Sequence, residues 1–299
     1  MQLTNDKFRG TGVAVVTPFD ESGSIDFNAL SKVLEHLIIH GVEYLVIMGT
    51  TGETPTLSKD EKTAMLDFSV KVIHSRVAVV IGIGGNNTAE VVKSIHETNF
   101  KGVDAILSVS PYYNKPQQQG IFEHFKAIAG ASPVPVILYT VPGRTGGNIS
   151  AETTLKLADA CKNIIGIKEA SGNLDQIYQL LKNRPEGFLV ISGDDNLTLP
   201  LLATGADGVI SVVANAYPEE FSDMVRAGLK GDFDSARKIH FQLLDFMGAI
   251  FADGSPGGIK AALEVRRLCR NILRLPLVPV NEVTNKRIRN IVEQLDKKV

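Results

Sequence analysis

The sequence predicts an α/β protein built on a (β/α)8 barrel, the TIM-barrel architecture, with a small C-terminal helical extension. Three observations predict this fold. Eight short runs rich in β-branched residues lie before residue 214. Helix-length segments separate most of these runs, which is typical of parallel strands joined by crossovers. After about residue 216 only helix-like segments follow. Eight is also the number of strands that closes such a barrel.

The predicted strands are short, apolar and spread evenly along the chain. They cover residues 11–17, 43–49, 77–83, 104–110, 135–141, 164–170, 188–194 and 207–213. A doubly wound open sheet is the alternative fold, and it usually carries a glycine-rich phosphate loop after its first strand. Here "TPFDESG" follows the first strand, and the "GIGG" at 82–85 lacks a third glycine at the right spacing. The barrel is therefore the favoured fold.

The predicted helices have clear start signals. Asp26 is placed to cap the first helix, whose apolar residues repeat at helical spacing, namely Leu30, Val33, Leu34, Leu37 and Ile38. Ser58 and Glu61 form a capping box at the start of the second helix. The last helices are predicted at 217–229, 232–251, 257–273 and 281–298. We expect a barrel domain over residues 1–229 and a C-terminal helical domain over residues 230–299.

The composition is that of an ordinary globular protein and excludes several classes. A formal net charge of −2 gives no global field that would attract nucleic acid or an anionic membrane. No apolar run is long enough to span a bilayer, and "MQLTNDKFRG" has no apolar signal core. Cys161 and Cys269 are the only cysteines, which favours free thiols in a reducing compartment. We expect a cytoplasmic protein that binds neither nucleic acid nor membrane.

Reactive side chains cluster where the predicted strands end. In a (β/α)8 barrel the chemistry takes place at the carboxyl ends of the strands. The sequence has "GTTGE" after strand two, "SPYYN" after strand four, "YTVPGR" at the end of strand five and "GIKE" in strand six. The residues that this topology brings to one mouth are Thr50, Thr51, Tyr112, Tyr113, Tyr139, Arg144, Lys168 and, from strand eight, Ile210.

Lys168 admits two interpretations. A lysine at a strand end is most often a solvated surface residue, because lysine is rarely buried without a partner. Alternation instead places Gly166 and Lys168 toward the barrel axis, and a glycine below an inward lysine leaves room for its side chain. Ile165 and Ile167 then face the helices. A desolvated amine favours its neutral form, which can attack a ketone to give a Schiff base, an electron sink.

Schiff-base chemistry also needs a proton shuttle and a site for an anion. Tyr139, with Thr50 and Tyr113 as relay partners, supplies hydroxyl groups of the right kind. Backbone N–H groups of the "GTTGE" turn are suited to a substrate carboxylate. The structural alternatives are an inward tyrosine that only packs in the core, an exposed loop arginine, and threonines that only cap a loop.

No metal site is expected from the sequence. The six histidines show no cluster at zinc-ligand spacing. The "SGDD" at 192–195 carries two adjacent acids, which at a strand end are more often loop caps than metal ligands.

These motifs resemble those of a known family. "GTTGE", "YxxPxR" and "GIKE" are similar to the class I aldolase family that contains N-acetylneuraminate lyase and dihydrodipicolinate synthase. The resemblance covers essentially the whole barrel, from "GTGVAVVTPF" to "GADGVISV". The second threonine of "GTTGE", the "SPYYNKP" segment and the arginine of "VPGRTG" resemble the dihydrodipicolinate synthase branch. The sialic acid lyases typically have a serine in the first motif and lack that arginine.

The resemblance implies a lyase that condenses pyruvate with L-aspartate 4-semialdehyde, in lysine and diaminopimelate biosynthesis. Lys168 would hold pyruvate as a covalent imine, with no separate cofactor. Arg144 would bind the carboxylate of the semialdehyde through bidentate bonds. A sibling pyruvate aldolase, similar to N-acetylneuraminate lyase or to a 2-keto-3-deoxy sugar acid aldolase, is the alternative. A catalytically silent member would need Lys168 or Tyr139 replaced, and both are present.

The resemblance also implies roles for the other residues and an assembly. Tyr139, Thr50 and Tyr113 would form the proton relay, with Tyr113 reaching into the neighbouring subunit's site. Thr51 and Ile210 would contact pyruvate through the backbone. Family members are usually homotetramers built as a dimer of dimers, so we expect the chain to bind copies of itself.

Two departures from the family pattern are visible. Thr140 follows the catalytic tyrosine where the family usually has Asn, and its side chain should point away from the barrel axis. Lysine-inhibited members bind lysine at the dimer interface, and the positions matching that site are Thr54, Pro55, Lys59, Asn86, Glu90 and Tyr112. Lys59 and Lys62 stand where sensitive bacterial members tend to have histidines. Like-charge repulsion would disfavour a cationic ligand, so we hypothesise weak or altered lysine inhibition.

Overall fold

Eight parallel strands close into a barrel in chain order in the computed structural model, which describes residues 5–297. The last strand pairs in parallel with the first. The strands are β1 (Gly10–Ala14), β2 (Tyr44–Ile47), β3 (Ala78–Gly82), β4 (Ala105–Val109), β5 (Val136–Thr140), β6 (Ile164–Glu169), β7 (Leu189–Ser192) and β8 (Gly208–Ser211). The predicted (β/α)8 fold is confirmed, and the open doubly wound sheet is excluded.

Helices join the strands on the outside of the barrel. They are α1 (Phe27–Ile39), α2 (Lys59–Ile73), α3 (Thr88–Glu97), α4 (Gln118–Ala131), α5 (Pro142–Thr145), α6 (Ala151–Ala160), α7 (Leu174–Asn183), α8 (Thr198–Ala203) and α9 (Pro218–Leu229). Both predicted caps are present. Asp26 Oδ1 accepts the Ala29 N–H at 2.9 Å, and Ser58 and Glu61 exchange hydrogen bonds of 2.8 and 3.2 Å.

Three further helices form the C-terminal extension, α10 (Phe233–Phe251), α11 (Gly257–Val265) and α12 (Glu282–Asp296). The prediction of a helix over 257–273 was wrong in length. Arg267 adopts a left-handed φ of 59°, and the Leu268 N–H bonds back to Leu263 O at 2.9 Å, which closes the helix early. The extension and the barrel helices share one apolar core, so we propose the division at residue 229 as a boundary in chain order only.

Residues 5–297 form two apolar cores. The larger one lies between the barrel and its helices. The smaller one fills the barrel and takes alternate strand residues, among them Ile137, Tyr139, Leu189, Ile191 and Ile210. Side-chain alternation along parallel strands produces this division. Among residues 5–297, no helix has the length and apolar character that crossing a membrane requires.

One predicted side-chain direction on β6 was wrong. Ile165 was expected to face the helices, but it packs in the barrel interior. The cause is a register shift, because Val136 pairs with Ile164 while the next residue, Ile137, pairs with Gly166. A bulge of this kind inserts one residue into a strand and breaks the strict alternation around it. Alternation resumes beyond the bulge.

The closure of the barrel requires glycine where β1 meets β8. Gly208 has a φ of 151°, and a Cβ atom built there would lie 2.0 Å from the carbonyl oxygen of Gly10. No side chain tolerates a contact that short, and the neighbour is backbone, which cannot rotate away. Gly208 therefore allows the two edge strands to reach hydrogen-bonding distance.

Gly208→Ala is expected to lower the unfolding free energy by more than about 4 kcal/mol, because the methyl group forces β8 away from β1. Gly205→Ala is the matched control. Its φ is 102°, but a Cβ there meets no atom within 4 Å. The control should lower the unfolding free energy only by the backbone strain, about 1–2 kcal/mol. Urea unfolding of both variants measures the difference, and equal losses would contradict the closure argument.

Candidate active site

Lys168 and Tyr139 meet at the carboxyl end of the barrel. They are Cα partners across β5 and β6, and both side chains are nearly buried, with 6% and 7% of their surface exposed. The Lys168 Nζ lies 4.4 Å from the centroid of the Tyr139 ring. A lysine ammonium over an aromatic face is attracted by the ring quadrupole, and the contact keeps the side chain out of water. The predicted pairing of an inward lysine with an inward tyrosine is therefore present.

The glycine that makes room for Lys168 differs from the predicted one. A Cβ on Gly166 would lie 2.7 Å from Leu189 O, so Gly166 accommodates the backbone of β7 rather than the lysine. Gly193, just after β7, has the predicted function. A Cβ there would lie 3.0 Å from Lys168 Cε and 2.6 Å from Ala170 Cβ. The signal in the sequence was the glycine of "SGDD", which lies at the end of the predicted strand over 188–194.

The "GTTGE" segment and the three residues after it form two successive 3-10 turns above β2. The first covers Thr50–Gly52 and the second Thr54–Thr56, with Glu53 between them at a left-handed φ of 52°. Gly52 N and Glu53 N donate to Gly49 O and Thr50 O at 3.1 Å each. The N–H groups of Thr50 and Thr51 have no partner inside the turn, as expected for the first donors of a helix-like segment. The Thr51 side chain is buried and that of Thr50 is exposed.

Glu53 anchors this turn to the C-terminal extension. Its Oε1 forms an ion pair with Lys260 Nζ of α11, and neither side chain is exposed to solvent. Its Oε2 accepts the N–H of Arg274 at 3.0 Å, and Lys260 also donates to Ile272 O at 2.7 Å. A buried ion pair is tolerated only when further hydrogen bonds satisfy both groups, as they do here. Sequence reasoning missed Glu53 and Lys260, because no local pattern links residues that lie so far apart along the chain.

Arg274 extends the same anchor. Its guanidinium pairs with Glu61 of the capping box and donates to Thr56 O at 3.0 Å. These bonds lower the pKa of the Glu61 carboxyl to about 2, the hydrogen bond from Arg274 being the largest cause. The loop after α11 thereby holds the second 3-10 turn as well as the first.

The remaining predicted side chains lie at the rim of the mouth. Arg144 is exposed in the one-turn helix α5, and within residues 5–297 its guanidinium has no hydrogen-bonded partner. Tyr113 is 88% exposed with a left-handed φ of 71°, and its N–H donates to Thr145 O at 3.3 Å. In the described part of the chain no hydrogen bond joins Thr50, Tyr113 and Tyr139. The relay is therefore not assembled within one copy of the chain.

Ile210 lies in the barrel interior, and Asp195 holds the loop that follows it. Asp195 Oδ2 accepts the N–H groups of Val212 and Val213, both at 3.1 Å. Burial raises the pKa of the Asp195 carboxyl to about 6, although these hydrogen bonds oppose the shift. The interpretation of the acids in "SGDD" as loop caps is confirmed, since Asp194 Oδ1 likewise accepts the Asn196 N–H at 3.0 Å.

Comparison with known proteins identifies the family. The sequence model of the dihydrodipicolinate synthetase family matches residues 7–295. The chain belongs to this family. It is 50% identical to the 4-hydroxy-tetrahydrodipicolinate synthase of Parabacteroides distasonis over 98% of this chain and 99% of that protein. The crystal structure of dihydrodipicolinate synthase from Aquifex aeolicus is 40% identical, with a TM-score of 0.94 over 97% of this chain and 98% of that one. A monomeric dihydrodipicolinate synthase variant is 36% identical, with a TM-score of 0.94 over 97% of each chain.

Membership in the dihydrodipicolinate synthetase family favours the synthase interpretation of the motifs over the sialic acid lyase alternative. These relatives match along nearly their whole length. Thr140, the position at which this chain departs from the usual family residue, has its side chain on the helix side of β5. Its hydroxyl donates to Asn148 Oδ1 at 2.9 Å, as the predicted orientation away from the barrel axis requires.

The structure brings together only part of the predicted lysine-binding set. Asn86 Nδ2 donates to Tyr112 O at 3.1 Å, and Thr54 Oγ1 donates to Gly49 O at 2.9 Å. Pro55 and Glu90 are exposed. The Lys59 amine pairs with Glu97 at 3.0 Å at the surface, which weakens its repulsion of a cationic ligand without removing it. Weak or altered lysine inhibition stays a hypothesis that rests on Lys59 and Lys62.

The buried Asp195 predicts a pH dependence of stability. Its pKa is higher in the folded protein than the ordinary value of 3.8, so folding favours the protonated carboxyl. That stabilisation is present below pH 3.8 and is lost as the pH rises through about 6. Asp195→Asn removes the titration. Between pH 4 and 7 the wild type should lose up to about 3 kcal/mol relative to this variant.

Urea unfolding at intervals across this pH range measures the Asp195 effect. Asp159→Asn serves as a control, because it removes a carboxylate that is 91% exposed and should keep the wild-type pH dependence. Parallel curves for the wild type and Asp195→Asn would contradict the assignment.

Proposed function

We propose that this protein condenses pyruvate with L-aspartate 4-semialdehyde to give 4-hydroxy-tetrahydrodipicolinate, a step toward diaminopimelate and lysine. The observation that carries the proposal is the Lys168 amine, nearly buried over the Tyr139 ring at the barrel mouth of a dihydrodipicolinate synthetase family member. Relatives of this chain that match over nearly the whole length carry the name of that synthase.

The chemistry starts with the amine of Lys168. Its neutral form adds to the keto carbon of pyruvate, and the carbinolamine takes up one proton and loses one water to give a protonated imine. The imine accepts the electron pair of the C3–H bond as the proton leaves, and the resulting enamine attacks the aldehyde carbon of the second substrate. The phenol of Tyr139 is the proposed proton carrier in these steps, with Thr50 and Tyr113 as its relay. Lys168 itself takes the place of a cofactor.

The substrate carboxylates have separate proposed sites. The free N–H groups of Thr50 and Thr51 are suited to the pyruvate carboxylate, since aligned backbone donors form an anion site. Ile210, whose side chain packs in the barrel interior, is the proposed backbone contact from β8. Arg144, at the rim and without a partner in the described chain, is suited to the semialdehyde carboxylate through a bidentate contact.

Assembly and location stand as further proposals. We propose a homotetramer in which Tyr113, exposed in a single copy, completes the site of a neighbouring subunit. The similarity to a monomeric synthase variant makes the assembly a question separate from the fold. Cys161 and Cys269 are both free thiols, which supports a reducing, cytoplasmic environment.

Arg144→Ala tests the choice of the second substrate. The variant should lower kcat/KM for L-aspartate 4-semialdehyde by about 10- to 100-fold, because one charged hydrogen-bonding partner contributes about 1.5–3 kcal/mol. Its KM for pyruvate should stay within about twofold, since the "GTTGE" turn is intact. Arg144→Lys is the matched control, because it keeps the charge and loses the bidentate geometry. Its kcat/KM for the semialdehyde should lie between those of the wild type and Arg144→Ala.

The assay follows product formation from pyruvate and the semialdehyde, beside cleavage of N-acetylneuraminate and of a 2-keto-3-deoxy sugar acid. Faster turnover of either sugar acid by the wild type would contradict the proposal and favour the sibling aldolase. An unchanged kcat/KM for the semialdehyde in Arg144→Ala would contradict the role of Arg144.

A further inference from the structure

Thr140 and Glu169 lie directly behind the two reactive side chains. Each follows its partner in the chain, Thr140 after Tyr139 and Glu169 after Lys168, and the two are Cα partners across β5 and β6. Alternation turns both side chains to the helix side of the sheet. Both are buried, with 0% and 1% of their surface exposed. A polar pair in this position needs partners, because unpaired buried polar groups are costly.

Asn148 and Gln176 connect this pair through side-chain amides. The Thr140 hydroxyl donates to Asn148 Oδ1 at 2.9 Å, and Asn148 Nδ2 donates to Gln176 Oε1 at 2.7 Å. Gln176 Nε2 then donates to Glu169 Oε2 at 2.7 Å. We call Thr140, Asn148, Gln176 and Glu169 the outer-face network. Each donor in this chain of bonds has an acceptor, so the four side chains have one consistent arrangement.

The backbone completes the outer-face network at both ends. The Ile149 N–H donates to the Thr140 hydroxyl at 3.1 Å, and the Ser171 N–H donates to Glu169 Oε1 at 2.7 Å. Burial raises the pKa of Glu169, and the hydrogen bonds from Gln176 and Ser171 oppose that shift. The network therefore spans the end of β5, the loop that carries Arg144, the end of β6 and the first turns of α7.

The strand pair in front of this network is irregular. The register of β5 against β6 shifts between Val136 and Ile137, at the amino-terminal end of the ladder. The ladder is regular again from Ile137 onward, so it fixes the backbones of Tyr139 and Lys168 but leaves the placement of their side chains to other contacts. Imine chemistry is sensitive to displacements of about 0.5–1 Å between the reacting groups. The outer-face network provides a second constraint at the carboxyl end of these strands.

We propose that the outer-face network sets the position of the Lys168 amine relative to the Tyr139 phenol and fixes the loop that carries Arg144. Thr140, Asn148 and Gln176 are positioning residues, since none of them reaches the barrel interior. The proposal rests on the proposed function. It predicts that a loss of hydrogen bonds on the outer side of the sheet slows chemistry on the inner side, with little effect on pyruvate binding at the "GTTGE" turn.

Isosteric variants at the two ends of the network provide the test. Thr140→Val removes the hydroxyl and keeps the shape, while Thr140→Ser keeps the hydroxyl and serves as the matched control. Gln176→Met removes the three hydrogen bonds that the side-chain amide of Gln176 forms with Asn148 and Glu169. We expect Thr140→Val and Gln176→Met to slow imine formation by about tenfold or more. The KM for pyruvate should stay within about twofold. Thr140→Ser should remain within about threefold of the wild type in both quantities.

Timed borohydride quenching with pyruvate measures the rate of imine formation on folded protein, as judged by circular dichroism. A lower melting temperature with an unchanged imine rate would overturn the proposal and leave the network a purely structural role. If neither Thr140→Val nor Gln176→Met folds, the network is a requirement of the fold and the positioning role is likewise overturned.

A substrate-independent readout separates this proposal from the proposed function. Acetic anhydride acetylates an accessible amine, and peptide mass spectrometry gives the rate at Lys168. A wild type that forms no imine would overturn the proposed function alone. The acetylation rate would still show whether the outer-face network positions the Lys168 amine. A change of about threefold or more in Thr140→Val and Gln176→Met, absent in Thr140→Ser, supports positioning. Equal rates in all four proteins overturn it.

Discussion

The closure of the sheet between β1 and β8 is the constraint on which the rest of the structure depends. Only a closed barrel brings the carboxyl ends of β2, β4, β5, β6 and β8 to one mouth, where residues distant in sequence become neighbours. Gly10 and Gly208 permit that closure, because their backbones approach more closely than any side chain allows. The chemistry proposed for Lys168 is thus a consequence of backbone contacts at the opposite side of the barrel.

Two buried lysines with different surroundings illustrate how the same fold produces structure and reactivity. Lys260 is fully buried and forms an ion pair with Glu53, a partner that favours its charged form and ties α11 to the "GTTGE" turn. Lys168 has 6% of its surface exposed, contacts the face of Tyr139, and has no carboxylate partner in the described part of the chain. An amine without an anionic partner is free to react, which is why we propose catalysis for Lys168 and a structural role for Lys260.

The sequence predicted the elements and the mouth residues because both follow from short-range patterns. Alternating apolar runs, the Ser58–Glu61 capping box and the strand-end position of Lys168 are local signals. The prediction failed where contacts between distant segments determine the direction of a side chain or the role of a glycine. The bulge that turns Ile165 inward depends on the pairing with β5, and the roles of Gly166 and Gly193 depend on which neighbour approaches each backbone. The outer-face network and the Glu53–Lys260 pair join segments that no window of sequence connects.

We propose that Lys168 forms a Schiff base with pyruvate, and borohydride reduction of the mixture followed by peptide mapping tests this most directly. The pyruvate-derived mass should be found on the peptide containing Lys168, and Lys168→Ala protein should acquire none. The Lys260 peptide should stay unmodified, because that amine is fully buried in its ion pair. A wild-type protein that stays unmodified, or that carries the adduct on another lysine, would contradict the account.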